Sequence, residues 1–287
     1  MQDQAHRLRE LYDKSKQSSH LSRVLTIASG KGGVGKSNFA LNFAIALKEC
    51  GKKVVVIDFD IGMANLHILM GVIPKYNLID MVKDRRTIWD ALETGIEGVE
   101  YVAGGTGFES LTSFNEEERT YFFQELEKLH DYADYIIIDT GAGLTEESLQ
   151  CHLAADEIFL LTTPEPTSIA DAYSVAKILH ASNQNLFFQL IINRIATRAE
   201  GIDVASKFKL VFEQFLHHEL HIFGAIADDP AVRKAVQKQV PFYVAYPHCH
   251  ASGDLQRLVK RYVAGTPTNE ENQGVKGFLK KFSMLFK

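Results

Sequence analysis

Seven short apolar runs restrict the possible folds more than any other feature of this chain. They are RVLTIAS from Arg23, KVVVIDFD from Lys53, VEYVAGG from Val99, YIIIDTG from Tyr135, EIFLLTT from Glu157, FFQLIINR from Phe187 and IFGAIAD from Ile222. Most are apolar at consecutive positions and do not alternate, the pattern of strands buried on both faces. Helix-like stretches at 38–50, 116–132, 169–181 and 204–218 lie between them. Strand and helix in alternation predict an α/β fold with a mostly parallel sheet and helices on both faces. No internal repeat and no central linker divides the chain. Its 287 residues, 46% hydrophobic and 23% charged, are enough to bury such a core.

The bulk properties exclude several classes. A net charge of −5 argues against a body that binds nucleic acid through a basic surface. Cys50, Cys151 and Cys249 form no CxxC pair, which points to a reducing cytoplasm and away from a local zinc or redox motif. The first twenty residues are too polar for a signal peptide, and no run of 18 apolar residues occurs.

The chemistry is concentrated after the first strand. Gly30-Lys31-Gly32-Gly33-Val34-Gly35-Lys36-Ser37 fits GxxxxGK[ST] and opens a predicted helix. Glycines let backbone N–H groups curl around a phosphate, and the helix N-terminus adds positive potential. Lys36 reaches the terminal phosphates and Ser37 can ligate Mg²⁺. Two later runs end in carboxylates, Asp58 and Asp60 in VVVIDFD and Asp139 in YIIIDTGAG. The C-terminal ends of parallel strands are where an open α/β sheet binds ligands. Asp139 suits a Mg²⁺ role through water, and Gly143 leaves the following loop free to move.

The segments SGKGGVGKS, VVVIDFDIGMANLHILMG and IIIDTGAG resemble the deviant Walker A, switch I and switch II motifs of the MinD/ParA group of ATPases. The likeness covers residues 21–263 with all three motifs in order. It implies a P-loop fold, ATP and Mg²⁺ as ligands, and an ATP-sandwiched homodimer. In that dimer Lys31 would cross to the partner's phosphates, as an arginine finger supplied in trans does. The resemblance further assigns Asp60 to positioning the attacking water and Asp58 to assisting Mg²⁺. Asn193 and Arg194 in IINR match the adenine-recognition position. Asp228 in IADDPAV and Glu165 in TTPEPTS match a second base-contacting loop and a position near the partner's nucleotide. Two departures, DTGAG in switch II and Asn38 after Ser37, point away from the division-site MinD branch.

The two ends narrow the branch. On a helical wheel Val275, Phe278, Leu279, Phe282, Leu285 and Phe286 share one face, while Lys276, Lys280, Lys281 and Lys287 lie outside it. Such a short basic amphipathic helix suits an anionic membrane surface and cannot span it. The alternative is docking on the body's own core, which the polar linker 264–274 argues against. At the front, Asp3-Gln4-Ala5 followed by Leu8-Arg9 reads DQAxxLR. This resembles the activator motif of the family's flagellar-number regulators, the FlhG branch (also YlxH or FleN). There the segment stimulates the signal-recognition-type GTPase FlhF.

The resulting expectation is an activator arm at 1–20, an ATPase domain at 21–263, a flexible linker at 264–274 and a membrane-targeting helix at 275–287. The protein would be a cytoplasmic ATPase, reversibly bound at the inner face of the membrane as an ATP dimer, that regulates flagellar number and placement. Its partners would be an FlhF-type GTPase and flagellar switch or C-ring proteins, with no nucleic acid. The rival readings are a division-site MinD, a DNA-partitioning ParA and a nucleotide-gated scaffold with negligible turnover. An iron–sulfur carrier lacks a paired-cysteine motif. A metal enzyme built on HHELH (His217, His218, His221) or HCH (His248 to His250) lacks a completing thiol or carboxylate set.

Overall fold

The computed structural model describes residues 22–60, 64–105, 113–265 and 274–284. Among them the chain runs β1 (Arg23–Ala28), α1 (Lys36–Glu49), β2 (Val54–Phe59), α2 (Leu66–Met70), α3 (Leu78–Lys83), α4 (Ile88–Ala91), β3 (Leu92–Thr94), β4 (Glu100–Val102), α5 (Glu116–Glu127), β5 (Tyr135–Thr140) and α6 (Glu146–Ala154). It continues with β6 (Glu157–Thr162), α7 (Pro166–Ser182), β7 (Phe188–Ile195), α8 (Arg198–Leu216), β8 (His221–Ala227), α9 (Pro230–Gln237), α10 (Phe242–Ala245), α11 (His250–Val263) and α12 (Gly274–Met284).

The strands form one sheet in the order β3-β4-β2-β5-β1-β6-β7-β8. Only β3 runs antiparallel to its neighbour. The expected α/β class with a mostly parallel sheet is therefore the observed one. Strands β2, β5 and β6 are buried at all six positions each, because helices cover both faces. On one face α1 and α11 meet the sheet around Phe43, whose ring lies 5.3 Å from Phe159 and 5.8 Å from Tyr262. On the other, α5 and α6 cover the β2–β5–β1 half and α7 and α8 the β6–β7 half. Local sequence sets the helix starts. Asn77, Thr87, Asn115 and Thr145 each close a capping box, and Pro166 opens α7.

The C-terminal helix does not stand clear of this body. Helix α12 packs against α5, α6 and β1, with Val275, Phe278, Leu279 and Phe282 buried over Val24, Ile57, Phe59, Ile136 and Ile138. Phe282 meets Phe59 at 5.8 Å and Phe123 at 5.6 Å, both edge-on. Lys276 and Lys280 point to solvent and Lys281 is half-buried. This corrects the expectation that the linker holds the apolar face away from the core. The physical reason is the sheet itself: among the described residues, the strip of β2, β5 and β1 side chains between α5 and α6 is covered by the apolar face of α12. Leu285, Phe286, most of the linker and the arm with Asp3, Gln4, Ala5, Leu8 and Arg9 lie outside the described residues.

A difference in stability follows from this packing. Phe43→Ala, in the shared core, should cost about 3–5 kcal/mol in urea unfolding. Phe282→Ala should cost less, because the tail can leave its groove and so cap the loss at its docking free energy. Equal losses would mean that α12 unfolds only together with the body.

Candidate functional site

The phosphate cradle begins where β1 ends. Gly33 and Gly35 take φ of 78° and 105°, conformations that a side chain resists, and let the loop turn its amides inward. Gly35 caps α1 with no side-chain acceptor. The first N–H groups of α1 therefore have no local partner, which is the arrangement of an anion site. Val34 is held from above by Asn193, whose Nδ2 donates to the Val34 carbonyl at 2.7 Å. A Cβ on Gly35 would lie 2.6 Å from that same Nδ2, so the loop and the end of β7 fit only with glycine there.

Lys36 is almost wholly buried and donates from Nζ to Ser29 Oγ at 3.1 Å. Burial lowers its pKa, and the charges of Asp139 and Asp60 pull it back up. The carboxylates meet it through sheet register: β2 and β5 are paired with Asp58 directly beside Asp139. Asp139 is buried and its oxygens make no close hydrogen bond, although the nearby Ser37 hydroxyl and the Lys36 charge partly hold its pKa down. Burial, then the Asp58 charge, pushes its pKa to about 7.

Asp58 is raised to about 6, again chiefly by burial. Its Oδ1 accepts from the Asp60 amide at 3.1 Å, and its Oδ2 from the Asn65 and Leu66 amides at 3.0 and 3.1 Å. Asp58 thus ties the backbone at Asp60 to that at Asn65 and Leu66. Asp60 is half-buried, with its pKa raised by burial and lowered by Lys36. A Cβ on Gly141 would lie 2.9 Å from Asp60 Oδ1, so the two switch loops touch at Asp60 and Gly141.

This donor set fits Mg²⁺. The buried Asp139 carboxylate, without a close hydrogen bond, and the Ser37 hydroxyl offer the hard oxygens that Mg²⁺ takes. Among the described residues no three His, Cys, Asp or Glu side chains form a metal-holding group. Ser37, Asp58 and Asp139 are the residues that would hold such an ion.

Beside the cradle opens a cavity of about 430 Å³, lined by Gly35, Asn38, Phe39, Glu165, Asn193, Arg194 and Asp228 among others. The structure brings the predicted Gly35, Asn38, Glu165, Asn193, Arg194 and Asp228 to one cavity, and Phe39, which was not predicted, lines it with them. Arg194 holds a left-handed φ of 60°, which turns the chain after Asn193. Arg233, Glu200 and Asp229 also line the cavity and were missed. Arg233 lies one turn into the helix after IADDP, and a strand-end position of that kind could have exposed it.

Lys31 does not point into its own cradle. It is partly exposed, and its Nζ lies 2.5 Å from Glu165 Oε2. The other singled-out groups are not assembled. Cys151 is buried beneath α12 with its thiol pKa pushed up by burial, and Cys249 caps α11. Next to it His152 is fully buried, its pKa pushed down to about 3 by burial and then by Lys36, which leaves it neutral. His218 bonds the Leu186 carbonyl and His221 stacks on Phe187.

A strand–P-loop–helix cradle with acidic strand ends defines a P-loop nucleotide-binding protein. The model of the CobQ/CobB/MinD/ParA nucleotide binding domain matches residues 25–242. The antiactivator FleN of Pseudomonas aeruginosa is 35% identical over 82% of this chain and 84% of its own. The flagellum site-determining protein YlxH of Helicobacter pylori is 31% identical over 98% of both chains. The septum site-determining protein MinD of Pyrococcus horikoshii, solved with Mg-ADP, is 25% identical. It aligns with a TM-score of 0.70 over 85% of this chain and 98% of its own. The chain belongs to the MinD/ParA family of P-loop ATPases and is of the FlhG (YlxH/FleN) type.

A buried unpaired carboxylate has a pH signature. The pKa of Asp139 is above its unfolded value, so the folded state retains the proton while the unfolded chain loses it. Nucleotide-free protein should lose stability as pH rises from about 4 to about 7 and level off above. Asp139→Asn should flatten this slope and gain on the order of a few kcal/mol above pH 7, while losing Mg²⁺-dependent nucleotide affinity. Thermal melts across pH, with and without Mg-ADP, check both parts. An unchanged slope would show that Asp139 is ionised in the free protein.

Proposed function

We propose that this protein is an ATP-dependent, dimerising ATPase that regulates flagellar number and placement from the inner face of the membrane. One observation carries the reading: the cradle holds one lysine inside, Lys36, and presents a second, Lys31, outward at the cavity mouth. Two nucleotides brought face to face need cations between them, and an outward lysine can supply the partner's phosphates. Ser37, with Asp58 and Asp139, would hold Mg²⁺, which would supply positive charge against the nucleotide's phosphates. Lys36 neutralises charge within its own site. Asp60, set against Gly141 at the meeting of the two switches, would orient water. The names of the relatives, an antiactivator FleN and a flagellum site-determining YlxH, support flagellar control as the output. The N-terminal DQAxxLR segment would stimulate an FlhF-type GTPase, and flagellar switch or C-ring proteins would be further partners.

The docked tail gives membrane binding a condition. One apolar face cannot be in the groove and in a lipid interface at once, so attachment requires release from the groove. A single short helix binds lipid weakly, as one acyl chain does. Two tails on one dimer make the second insertion intramolecular, which can raise avidity ~10²-fold or more. Dimerisation by ATP would thereby favour the membrane.

Sedimentation velocity should show a dimer with ATP and a monomer with ADP, and Lys31→Ala should bind nucleotide yet stay monomeric. A dimer of that variant would remove the trans role. Asp60→Ala should trap the ATP dimer and slow phosphate release by ~10²-fold or more. Unimpaired turnover would reassign Asp60.

Pelleting with liposomes should need both ATP and anionic lipid, and should vanish on deletion from Val275. Equal pelleting in ADP would mean that the tail leaves its groove independently of the nucleotide. A peptide of residues 1–20 should raise the hydrolysis rate of an FlhF-type GTPase; no stimulation would remove that partner.

A further inference from the structure

The outward lysine is not free. Lys31 Nζ sits 2.5 Å from Glu165 Oε2 and 3.3 Å from Thr167 Oγ1, both at the start of α7 of its own subunit. Three features fix this geometry. Gly30 packs so tightly against α7 that a Cβ there would lie 2.2 Å from the Asp171 carbonyl carbon. Ser29 Oγ donates to the Lys31 carbonyl at 3.0 Å, which orients the Lys31 backbone. Pro164 and Pro166 flank Glu165 and restrict its backbone before the first turn of α7. The Glu165 carboxyl is held below its ordinary pKa, first by its hydrogen bond from Lys31, then by the Lys31 charge, with a contribution from Arg194.

We infer that Glu165, helped by Thr167, is a cis latch that holds Lys31 on its own subunit, so that ATP dimerisation proceeds only by exchanging this carboxylate for the partner's phosphates. The inference rests on the trans role of Lys31 proposed above and adds the group that competes with it. The latch explains a threshold. A lysine already neutralised by one carboxylate gains from leaving only when the competing site carries more charge. A triphosphate offers that charge better than a diphosphate. The pair is exposed, so each latch is weak, worth about two- to five-fold in an equilibrium constant. A dimer must open two of them, and the effects multiply to about four- to twenty-five-fold. Salt weakens an exposed pair and should lower the barrier.

The test separates the latch from its consequence. In nucleotide-free protein, Lys31 acetylation by a small amine-reactive ester, read by mass spectrometry against the other lysines, should be faster in Glu165→Gln than in wild type. Thr167→Val should produce a smaller change in the same direction. In ATP and Mg²⁺, Glu165→Gln should reach half-dimer at a protein concentration about four- to twenty-five-fold lower than wild type. Unchanged Lys31 labelling in both variants would overturn the latch. Faster labelling with equal or weaker dimerisation would overturn its role as the barrier, and would place Glu165 among the contacts that hold the dimer together. If wild type forms no ATP dimer, the trans reading fails by itself, and the labelling comparison still decides whether Glu165 restrains Lys31.

Discussion

Asp58 and Asp139 stand side by side in the register of β2 and β5, with the buried ammonium of Lys36 as their neighbour. Isolated charges in such surroundings are expensive, and the protein relieves the cost unevenly. Asp58 spends its oxygens on three backbone amides and thereby shapes the loop that follows β2. Asp139 receives no close hydrogen bond, and burial with the Asp58 charge outweighs Ser37 and Lys36 to move it toward its neutral form. The nucleotide-free site is thus a strained arrangement that a metal-bound nucleotide would relax. Asp60 follows Asp58 and Gly141 follows Asp139 by two residues each, and the two segments meet at Asp60 and Gly141.

The parts of this arrangement that were legible in the sequence are those fixed by local periodicity. Strands such as YIIIDT and EIFLLT are apolar at successive positions because both faces are covered, and that pattern marks them without a structure. The P-loop is readable because phosphate binding demands glycines at fixed offsets. Short elements left no such mark. Strand β3 is only LET, at a sheet edge, and helices α2, α3 and α4 span four to six residues each, too few for a 3.6-residue period to show. The partner of Lys31 was equally hidden, since 134 residues separate it from Glu165 and only the packing of α7 on Gly30 brings them together. The cavity residue Arg233 was passed over for the same reason.

The docking of the tail on the body was hidden for a different reason. An amphipathic stripe states that an apolar acceptor is needed and says nothing about which one. The groove that accepts Val275, Phe278, Leu279 and Phe282 is assembled from β1, β2, β5 and α5, and Val24 and Ile138 within it stand more than a hundred residues apart, so no window of sequence contains it. A polar linker was weak evidence against docking, because loop closure grows only slowly more costly with length.

The choice between groove and lipid can still be reasoned from physical terms. If the segment is helical in both places, the entropy of forming the helix largely cancels in the comparison. What remains is apolar burial, similar in kind on both sides, and the lysines. In the groove Lys276 and Lys280 face water and make no ion pair among the described residues, so they contribute little to docking. Near an anionic leaflet each basic side chain is worth about 1 kcal/mol. The solvent-facing lysines are thus presented to a membrane before the apolar face has left its groove. Electrostatic approach would come first and the exchange of apolar surfaces second. In that order the balance is set by lipid charge, and by the number of tails that dimerisation brings to the surface together.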